Sequence, residues 1–199
     1  MLNEQILVVP RSFLSNKNTF FQGFLSYPSR DFLEIISTGS FFMPRAKAES
    51  EPKYKQLIVY SILRYSKNVF VYQRTSGSSE IRLINKFSIG LGGHINPCRA
   101  SSFKELIQKN LKRELLEEVS FKGTFSYHFL GAINDEQTEV GICHLGLVYL
   151  VSCSNPHIYV KEDNKLTGRF CSISEILNKE YEWESWSSLL IPKLKELLT

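Results

Sequence analysis

The sequence predicts a mixed α/β domain in which helices pack against a sheet, and two observations predict it. Stretches rich in Val, Ile, Tyr and Phe, which are typical of strands, occur on both sides of one long amphipathic helix, and another amphipathic helix follows near the end. The 199 residues suit one domain with a short appendage, and 43% hydrophobic with 22% charged residues is typical of globular proteins. This composition excludes a disordered chain and a disulfide-dense secreted module.

Apolar periodicity, turn residues and prolines predict the individual elements. The predicted strands span residues 5–9, 57–65, 68–73, 125–132, 141–153 and 157–160. The predicted helices span residues 30–38, 102–119, 174–178 and 185–198, the last interrupted near Pro192. A Gly/Ser-rich turn is predicted at residues 75–79, and an apolar segment at residues 87–91 leads into Gly92 and Gly93.

The stretch at residues 43–53 is charged and holds two prolines, which is typical of a boundary. We therefore divide the chain into an N-terminal extension, residues 1–50, that packs on or beside a main domain, residues 51–199. Residues 1–74 carry 10 basic and 5 acidic side chains, whereas residues 75–199 carry 14 and 15. A net charge of +4 is small for a nucleic-acid-binding protein, in which a concentrated basic face is expected. A small anionic partner is therefore favoured over nucleic acid.

The cysteines and the chain start indicate a reducing environment. No two cysteines have CxxC spacing, which argues against a zinc ribbon, and Cys143 and Cys153 are predicted to be buried, reduced thiols. No apolar run is long enough to span a bilayer, and the first ten residues lack a signal peptide's basic start and cleavage site. A cytoplasmic protein without membrane contact is expected. Aromatic residues near the start leave a homodimer open: Phe13, Phe20, Phe21 and Phe24.

The helix at residues 102–119 has a well-marked start and one apolar side. Ser102 and Glu105 form an S-x-x-E capping box. Apolar residues then recur at every fourth position and predict a stripe that faces the core: Phe103, Ile107, Leu111, Leu115 and Val119.

Acidic residues lie off this stripe. Glu114 stands three residues before Glu117 and four before Glu118, so the three carboxylates converge on one patch of the helix. A divalent cation would remove their mutual repulsion, and Mg²⁺ prefers carboxylate oxygens. Arg113 is placed to orient a neighbouring carboxylate. The pattern therefore predicts a metal site on this helix.

These residues resemble the Nudix box, G-x5-E-x7-R-E-U-x-E-E-x-G-U, in which U is a bulky aliphatic residue. Residues 113–118 match R-E-U-x-E-E, and seven residues separate Glu105 from Arg113. In one departure, eleven residues separate Gly93 from Glu105, so the loop at residues 95–104 is longer by about six. In another, Ser120 replaces a glycine that permits a left-handed helix end.

The wider chain is similar to a branch of the Nudix family described as phosphoesterases. The similarity runs from about residue 43 to residue 187 and rests on three segments: MPRAKAESEPKYKQLIVY, SIGLGGHINP and HLGLVYLV. It implies a Nudix-type α/β/α sandwich with a mixed sheet and an N-terminal extension. It also implies a hydrolase that uses Mg²⁺ or Mn²⁺ to cleave a diphosphate linkage in a nucleoside diphosphate-linked or similar phosphorylated small molecule.

The resemblance assigns roles to particular residues. Glu114, Glu117 and Glu118 become the metal ligands, joined by the backbone carbonyl of Gly93, and His94 becomes a candidate to contact the substrate. The basic extension is expected to help hold the substrate's phosphates.

The general base stays open at this point. Glu118 is one candidate, and the loop at residues 134–139 offers three more: Asp135, Glu136 and Glu139. Glu139 precedes a predicted strand and could point back toward the helix, and His144 is a further alternative.

Two rival functions share the fold. One is a catalytically silent module that senses a nucleotide, against which the complete set of box carboxylates argues. The other is isopentenyl diphosphate isomerase chemistry, which needs a reactive cysteine and for which Cys98 is placed beside the box. Because loops determine specificity in such folds, the sequence leaves the substrate unidentified.

Overall fold

The structure is a computed structural model that describes residues 4–17, 19–26, 29–74, 84–161 and 166–198. Its elements, in chain order, are β1 (Gln5–Pro10), α1 (Arg11–Asn16), β2 (Gly23–Ser26), α2 (Ser29–Gly39), β3 (Phe41–Pro44), α3 (Arg45–Ser50), β4 (Tyr54–Tyr65), β5 (Asn68–Arg74), β6 (Phe87–Ser88), β7 (Gly90–His94), α4 (Phe103–Glu118), β8 (Val119–Phe121), β9 (Phe125–Asn134), α5 (Glu139–Cys143), β10 (His144–Cys153), β11 (Ile158–Val160), β12 (Leu166–Ser172), α6 (Ile173–Asn178), α7 (Ser185–Leu190), a 3-10 turn (Ile191–Lys193) and α8 (Leu194–Leu197).

Ten of the strands in the described ranges form one sheet, and β8 pairs separately with β11. The order along the large sheet is β12-β5-β4-β10-β9-β2. In addition, β1 pairs with β3 and β4, β6 pairs with β5, and β7 pairs with β4.

One compact unit comprises Met1–Tyr60, Gly92–Arg113 and Phe129–Val148. In this unit, β1 pairs antiparallel with β3 and with the start of β4, and β2 pairs antiparallel with β9. A small apolar core lies against β1 and includes Ile6, Val8, Met43 and Ala48, with Tyr54 packed on it. Strands from the start of the chain are therefore hydrogen-bonded to strands that follow much later in the sequence.

The second unit comprises Ser61–Leu91, Glu114–His128 and Tyr149–Thr199. Here β12 pairs antiparallel with β5 along its whole length, and the rings of Phe70 and Phe170 meet edge to face at 5.5 Å. The helix α7 is fixed by Ser187, whose hydroxyl accepts a 2.9 Å hydrogen bond from the backbone of Ile89. Trp186 is buried beside it.

The structure confirms the predicted α/β fold and most of its elements. The predicted helix at residues 102–119 is α4, and four residues of its apolar stripe are at most 2% exposed: Ile107, Leu111, Leu115 and Val119. The strands predicted at residues 57–65 and 68–73 are the antiparallel neighbours β4 and β5. The last helix is interrupted by the 3-10 turn that contains Pro192.

The strand predicted at residues 141–153 is wrong over its first three residues. These residues belong to α5, and β10 begins at His144. The helix forms because Thr138 caps it, its side chain accepting a hydrogen bond from the Gly141 backbone. A Cβ at position 141 would lie 2.3 Å from the Asp135 carbonyl oxygen, so this tight turn requires glycine.

The predicted burial of two thiols is also wrong. Cys143, the last residue of α5, and Cys153, the last residue of β10, are half-buried, whereas Cys171 is buried inside β12. All four cysteines are free. Burial still raises the pKa of Cys153 to about 11, so this thiol stays protonated at neutral pH.

Three further predictions have different outcomes. Residues 43–53, predicted as a boundary, hold the end of β3 and the helix α3, and the division at residue 50 stays a prediction. The turn predicted at residues 75–79 lies outside the described residues. No helix in the described part of the chain is long and apolar enough to cross a membrane.

Candidate active site

The helix α4 begins as its capping residues predict. The Ser102 hydroxyl accepts a 3.2 Å hydrogen bond from the Glu105 backbone. The Glu105 carboxylate accepts hydrogen bonds from the backbone N–H and the hydroxyl of Ser101. In a standard capping box it would accept from the backbone of Ser102, one residue later. These bonds and a pair with Lys109 lower the pKa of Glu105 to about 2, with Lys109 the largest cause. The Glu105 carboxylate therefore stabilises the first turn of α4.

The three box carboxylates occupy the last two turns of the same helix. Glu114 and Glu118 are half-buried and Glu117 is exposed, while Leu115 between them faces the core. Because α4 is one continuous helix from Phe103 to Glu118, the spacing of three and four residues places these glutamates on one side of it. The helix therefore presents oxygen donors beside an apolar stripe.

The end of α4 explains how the chain accommodates Ser120. The strand β8 starts directly at Val119, and Ser120 pairs with Tyr159 in extended conformation. Lys161 covers the helix end, since its backbone donates a 2.9 Å hydrogen bond to the Glu118 carbonyl and its ammonium donates to the Leu116 carbonyl. Because the chain leaves α4 directly into a strand, residue 120 does not adopt the left-handed conformation for which the motif has a glycine.

Arg113 ties the helix α4 to His94 and Asn96, which precede it, and also contacts Asn110 within the same helix. Its Nη2 atom donates to the His94 carbonyl at 2.8 Å, to Asn96 Oδ1 at 2.6 Å and to Asn110 Oδ1 at 3.1 Å. The sequence assigned Arg113 to orienting a carboxylate. That role stays a prediction, and the structure shows Arg113 bonded to the backbone carbonyl of His94, next to Gly93.

The inserted loop at residues 95–104 is fastened by two asparagines. The Asn96 backbone donates to Asn110 Oδ1 at 2.9 Å, and Asn110 Nδ2 donates back to the Asn96 carbonyl at 3.0 Å. The Asn96 side chain also donates to Glu4 Oε1 at 3.1 Å and to the Gln5 carbonyl at 2.8 Å. Six added residues are therefore compatible with an ordered start of α4.

Residues 92–94 are the last three residues of β7. A Cβ on Gly92 would lie 2.9 Å from the Val59 carbonyl oxygen, so glycine allows β7 to approach β4 closely. Gly93 and His94 are half-buried in this strand.

His94 is held in its neutral form. Its Nε2 atom lies 2.8 Å from Gln56 Oε1, and its ring centroid lies 5.8 Å from that of His144. Burial is the main reason that the pKa of His94 falls to about 3, with Arg45 and His144 adding to the effect. A neutral ring can hydrogen-bond to a substrate but adds no positive charge beside a phosphate.

The candidate bases at residues 135–139 differ sharply in environment. Asp135 is 2% exposed, and its carboxylate accepts from Gln22, from the Gln137 backbone and from Thr138. Burial alone would raise the pKa of Glu136, but bonds from Lys55 and Arg11 outweigh it and lower this pKa.

Glu139 and His144 lie further along the same segment. Glu139 is exposed in the first turn of α5. The half-buried His144 places its Nδ1 atom 2.6 Å from the Val140 carbonyl oxygen. Of the three loop carboxylates, Glu139 is therefore the one that water can reach most easily.

Several residues that shape the site were missed by sequence reasoning. Lys55, Gln56 and Asn110 are at most 2% exposed although their side chains are polar. Polar residues within an apolar strand or beside a helix's apolar stripe could have indicated them, because such groups are buried only with partners.

The carboxylates of the box helix have the donor chemistry of a divalent-cation site. Within the described residues, no three His, Cys, Asp or Glu side chains are grouped as a metal site. The donor chemistry of Glu114, Glu117 and Glu118 nevertheless fits Mg²⁺ or Mn²⁺, because both prefer oxygen ligands and accept water at remaining positions.

Comparison with solved structures identifies the class of protein. The crystal structure of Tm1382, a candidate Nudix hydrolase, has a TM-score of 0.83 and 29% identity, covering 98% of this chain and 100% of that one. The Nudix domain of Shewanella oneidensis NrtR, solved with ADP-ribose, shares the fold at a TM-score of 0.56 and 17% identity, covering 79% of this chain and 100% of that one. The chain belongs to the Nudix family.

A comparison with curated proteins adds a relative that matches end to end. Protein YmaB of Bacillus subtilis (strain 168) is 34% identical over 203 residues, which is 98% of each chain. No protein-family model matches the chain.

Proposed function

We propose that this protein is a Mg²⁺- or Mn²⁺-dependent pyrophosphohydrolase that cleaves the diphosphate linkage of a nucleoside diphosphate derivative or similar phosphorylated small molecule. One observation carries the proposal. In a chain with the Nudix hydrolase fold, α4 is continuous through Glu114, Glu117 and Glu118, and its apolar stripe is buried as the box register requires.

These three carboxylates would hold the cation, and the Gly93 carbonyl stays a predicted fourth ligand. When bound, the cation supplies activation of water, orientation of the phosphates and neutralisation of developing charge. Arg113 supports this arrangement by fixing the backbone at His94 through its 2.8 Å hydrogen bond. His94, neutral and held by Gln56, is available as an uncharged hydrogen-bond partner for the substrate.

A carboxylate must take a proton from the attacking water. The water oxygen then forms a bond to one phosphorus while the bridging P–O bond breaks, and the bridging oxygen leaves on the second product. Glu118 and Glu139 are the proposed bases. Glu139 is favoured over its loop neighbours because it is exposed to water, whereas Asp135 is buried and Glu136 is half-buried.

A substrate screen tests the proposal. Hydrolysis products, either two phosphate monoesters or a monophosphate and pyrophosphate, would be measured by chromatography with dinucleotides, nucleotide sugars, oxidised nucleoside triphosphates and ADP-ribose, the ligand of the NrtR domain. We expect turnover of at least one class with Mg²⁺ or Mn²⁺ and its loss in Glu117→Gln. Glu105→Gln is the matched control, since it is the same substitution on the same helix at a capping residue.

Other outcomes would point elsewhere. Tight nucleotide binding without turnover under either metal would favour the silent sensor. Isomerase chemistry would require Cys98→Ala to abolish activity. Equal turnover by wild type and Glu117→Gln would overturn the metal assignment.

A further inference from the structure

A lysine without solvent exposure lies in the first unit. Lys55, in β4, is 0% exposed. Its ammonium donates a 2.8 Å hydrogen bond to the Gly141 carbonyl and forms an ion pair with Glu136. Burying an ammonium group costs several kcal/mol unless hydrogen bonds or an opposite charge compensate, and here the Gly141 carbonyl and Glu136 provide that compensation. Burial lowers the pKa of Lys55, and its bond with Glu136 offsets part of this effect.

A second cation from the start of the chain reaches the same carboxylate. Arg11 Nη2 lies 2.5 Å from Glu136 Oε2, and Arg11 Nη1 donates to the Ile142 carbonyl at 3.0 Å. Arg11 and Lys55 therefore both pair with the Glu136 carboxylate, and each also donates a hydrogen bond to a backbone carbonyl of α5. These two side chains thus contact the chain both before α5, at Glu136, and near its end, at the carbonyls of residues 141 and 142.

The chain between α1 and β2 adds bonds to the same segment. Gln22 Nε2 donates to Asp135 Oδ1 at 3.2 Å, and the Glu136 backbone donates to Gln22 Oε1 at 2.8 Å. Asn134 Nδ2 donates to the Phe21 carbonyl. Side chains and backbone from the first 55 residues thus form hydrogen bonds along residues 134–142, in addition to the bonds within that segment.

We propose that Arg11 and Lys55 are positioning residues which, through Glu136, hold residues 134–143 and with them the candidate base Glu139. The part that concerns Glu139 rests on the proposed function. A displacement of about 1 Å at a reacting group can lower a rate by about a hundredfold, so a fixed segment matters for a base on its first helical turn. The network also gives the basic extension a use other than direct phosphate binding, because Arg11 is engaged with Glu136.

The first measurement is independent of catalysis. Hydrogen exchange of the amides at residues 135–143 would be compared in wild type, Arg11→Gln and Glu136→Gln. We expect exchange to become about tenfold faster in both variants, since local opening then breaks fewer bonds. Arg11 is half-buried, so Arg11→Gln tests the cluster without replacing the fully buried Lys55, a change that could prevent folding. Glu49→Gln, which removes an exposed ion pair with Arg45, is the control and should leave exchange unchanged.

The second measurement asks whether positioning reaches Glu139. With a substrate from the screen, we expect Arg11→Gln to lower kcat about tenfold with KM within about twofold. In a Glu139→Gln background, Arg11→Gln should cause no more than about a further twofold loss, because residues that act as a unit are not additive. A merely structural role would give the same loss in both backgrounds.

Each outcome decides one part. Unchanged exchange in Arg11→Gln and Glu136→Gln would overturn the anchoring itself. Faster exchange with unchanged kcat, or equal losses in both backgrounds, would overturn the link to Glu139. Full activity in Glu139→Gln would reject this base and leave the hydrolase proposal standing. If no substrate is cleaved, the proposed function fails while hydrogen exchange still decides the anchoring.

Discussion

Replacing Gly131 by alanine is expected to cost far more stability than replacing Gly23, although both glycines lie in the paired strands β2 and β9. Gly131 has φ = +151° and Gly23 has φ = +88°, so alanine is strained in each. An added Cβ at position 131 would lie 2.2 Å from the Leu25 carbonyl oxygen, whereas at position 23 nothing lies within 4 Å. The two substitutions therefore share a backbone cost and differ in a steric one.

The magnitudes follow from these contacts. A left-handed alanine costs about 1–2 kcal/mol, which is the whole expected loss for Gly23→Ala. In Gly131→Ala, Leu25 must move by about 1 Å, which disturbs pairing between β2 and β9 at about 1 kcal/mol per weakened hydrogen bond. We expect a total loss of about 3–5 kcal/mol for Gly131→Ala.

Urea unfolding at neutral pH measures both variants against wild type. A difference of at least about 2 kcal/mol in the free energy of unfolding is expected between them. Equal losses would refute the close approach of β2 to β9, and with it the placement of residues 23–26.

Three other predictions use the same unfolding assay. Ser102→Ala removes the cap of α4 and should lower the free energy of unfolding by about 1 kcal/mol, which an unchanged midpoint would contradict. Asn110→Leu removes the side-chain partner of the Asn96 backbone N–H and one contact of Arg113, and it should cost about 2–4 kcal/mol, while a neutral effect would show that this network is dispensable. Glu136 has a lowered pKa, so its stabilisation is present above its ordinary pKa near 4.5 and is lost as the pH falls through the folded value. Wild type should therefore lose more stability than Glu136→Gln between pH 7 and pH 3, and parallel losses would argue against the ion pairs.

Local patterns made the main elements predictable. The helix α4 was found because its apolar residues recur every fourth position and Ser102 marks its start, and both features depend on neighbours within one turn. The strands β4 and β5 were found because their β-branched and aromatic runs are separated by a short turn. The short helix α5 was missed because a tight contact between Gly141 and Asp135, rather than any periodicity, determines it.

The surroundings of the site were less predictable because distant segments build them. Arg11 and Glu136 are 125 residues apart, and Lys55 and Gly141 are 86 apart. No local pattern in the sequence specifies which cation meets which carboxylate. The box motif placed Arg113 and the three glutamates on one helix, but it could not indicate that Asn96 and Asn110 would fasten the inserted loop to it.

The most direct test of the central claim is the Mg²⁺-dependent turnover of Glu117→Gln, measured beside wild type and Glu105→Gln on a substrate that the wild type cleaves. We expect Glu117→Gln to lose about 100-fold or more in kcat and to bind Mn²⁺ more weakly, as detected by electron paramagnetic resonance. Glu105→Gln should stay within about twofold of wild type, because its carboxylate serves the helix start. Wild-type turnover and Mn²⁺ affinity in Glu117→Gln would contradict the assignment of this helix as the metal site.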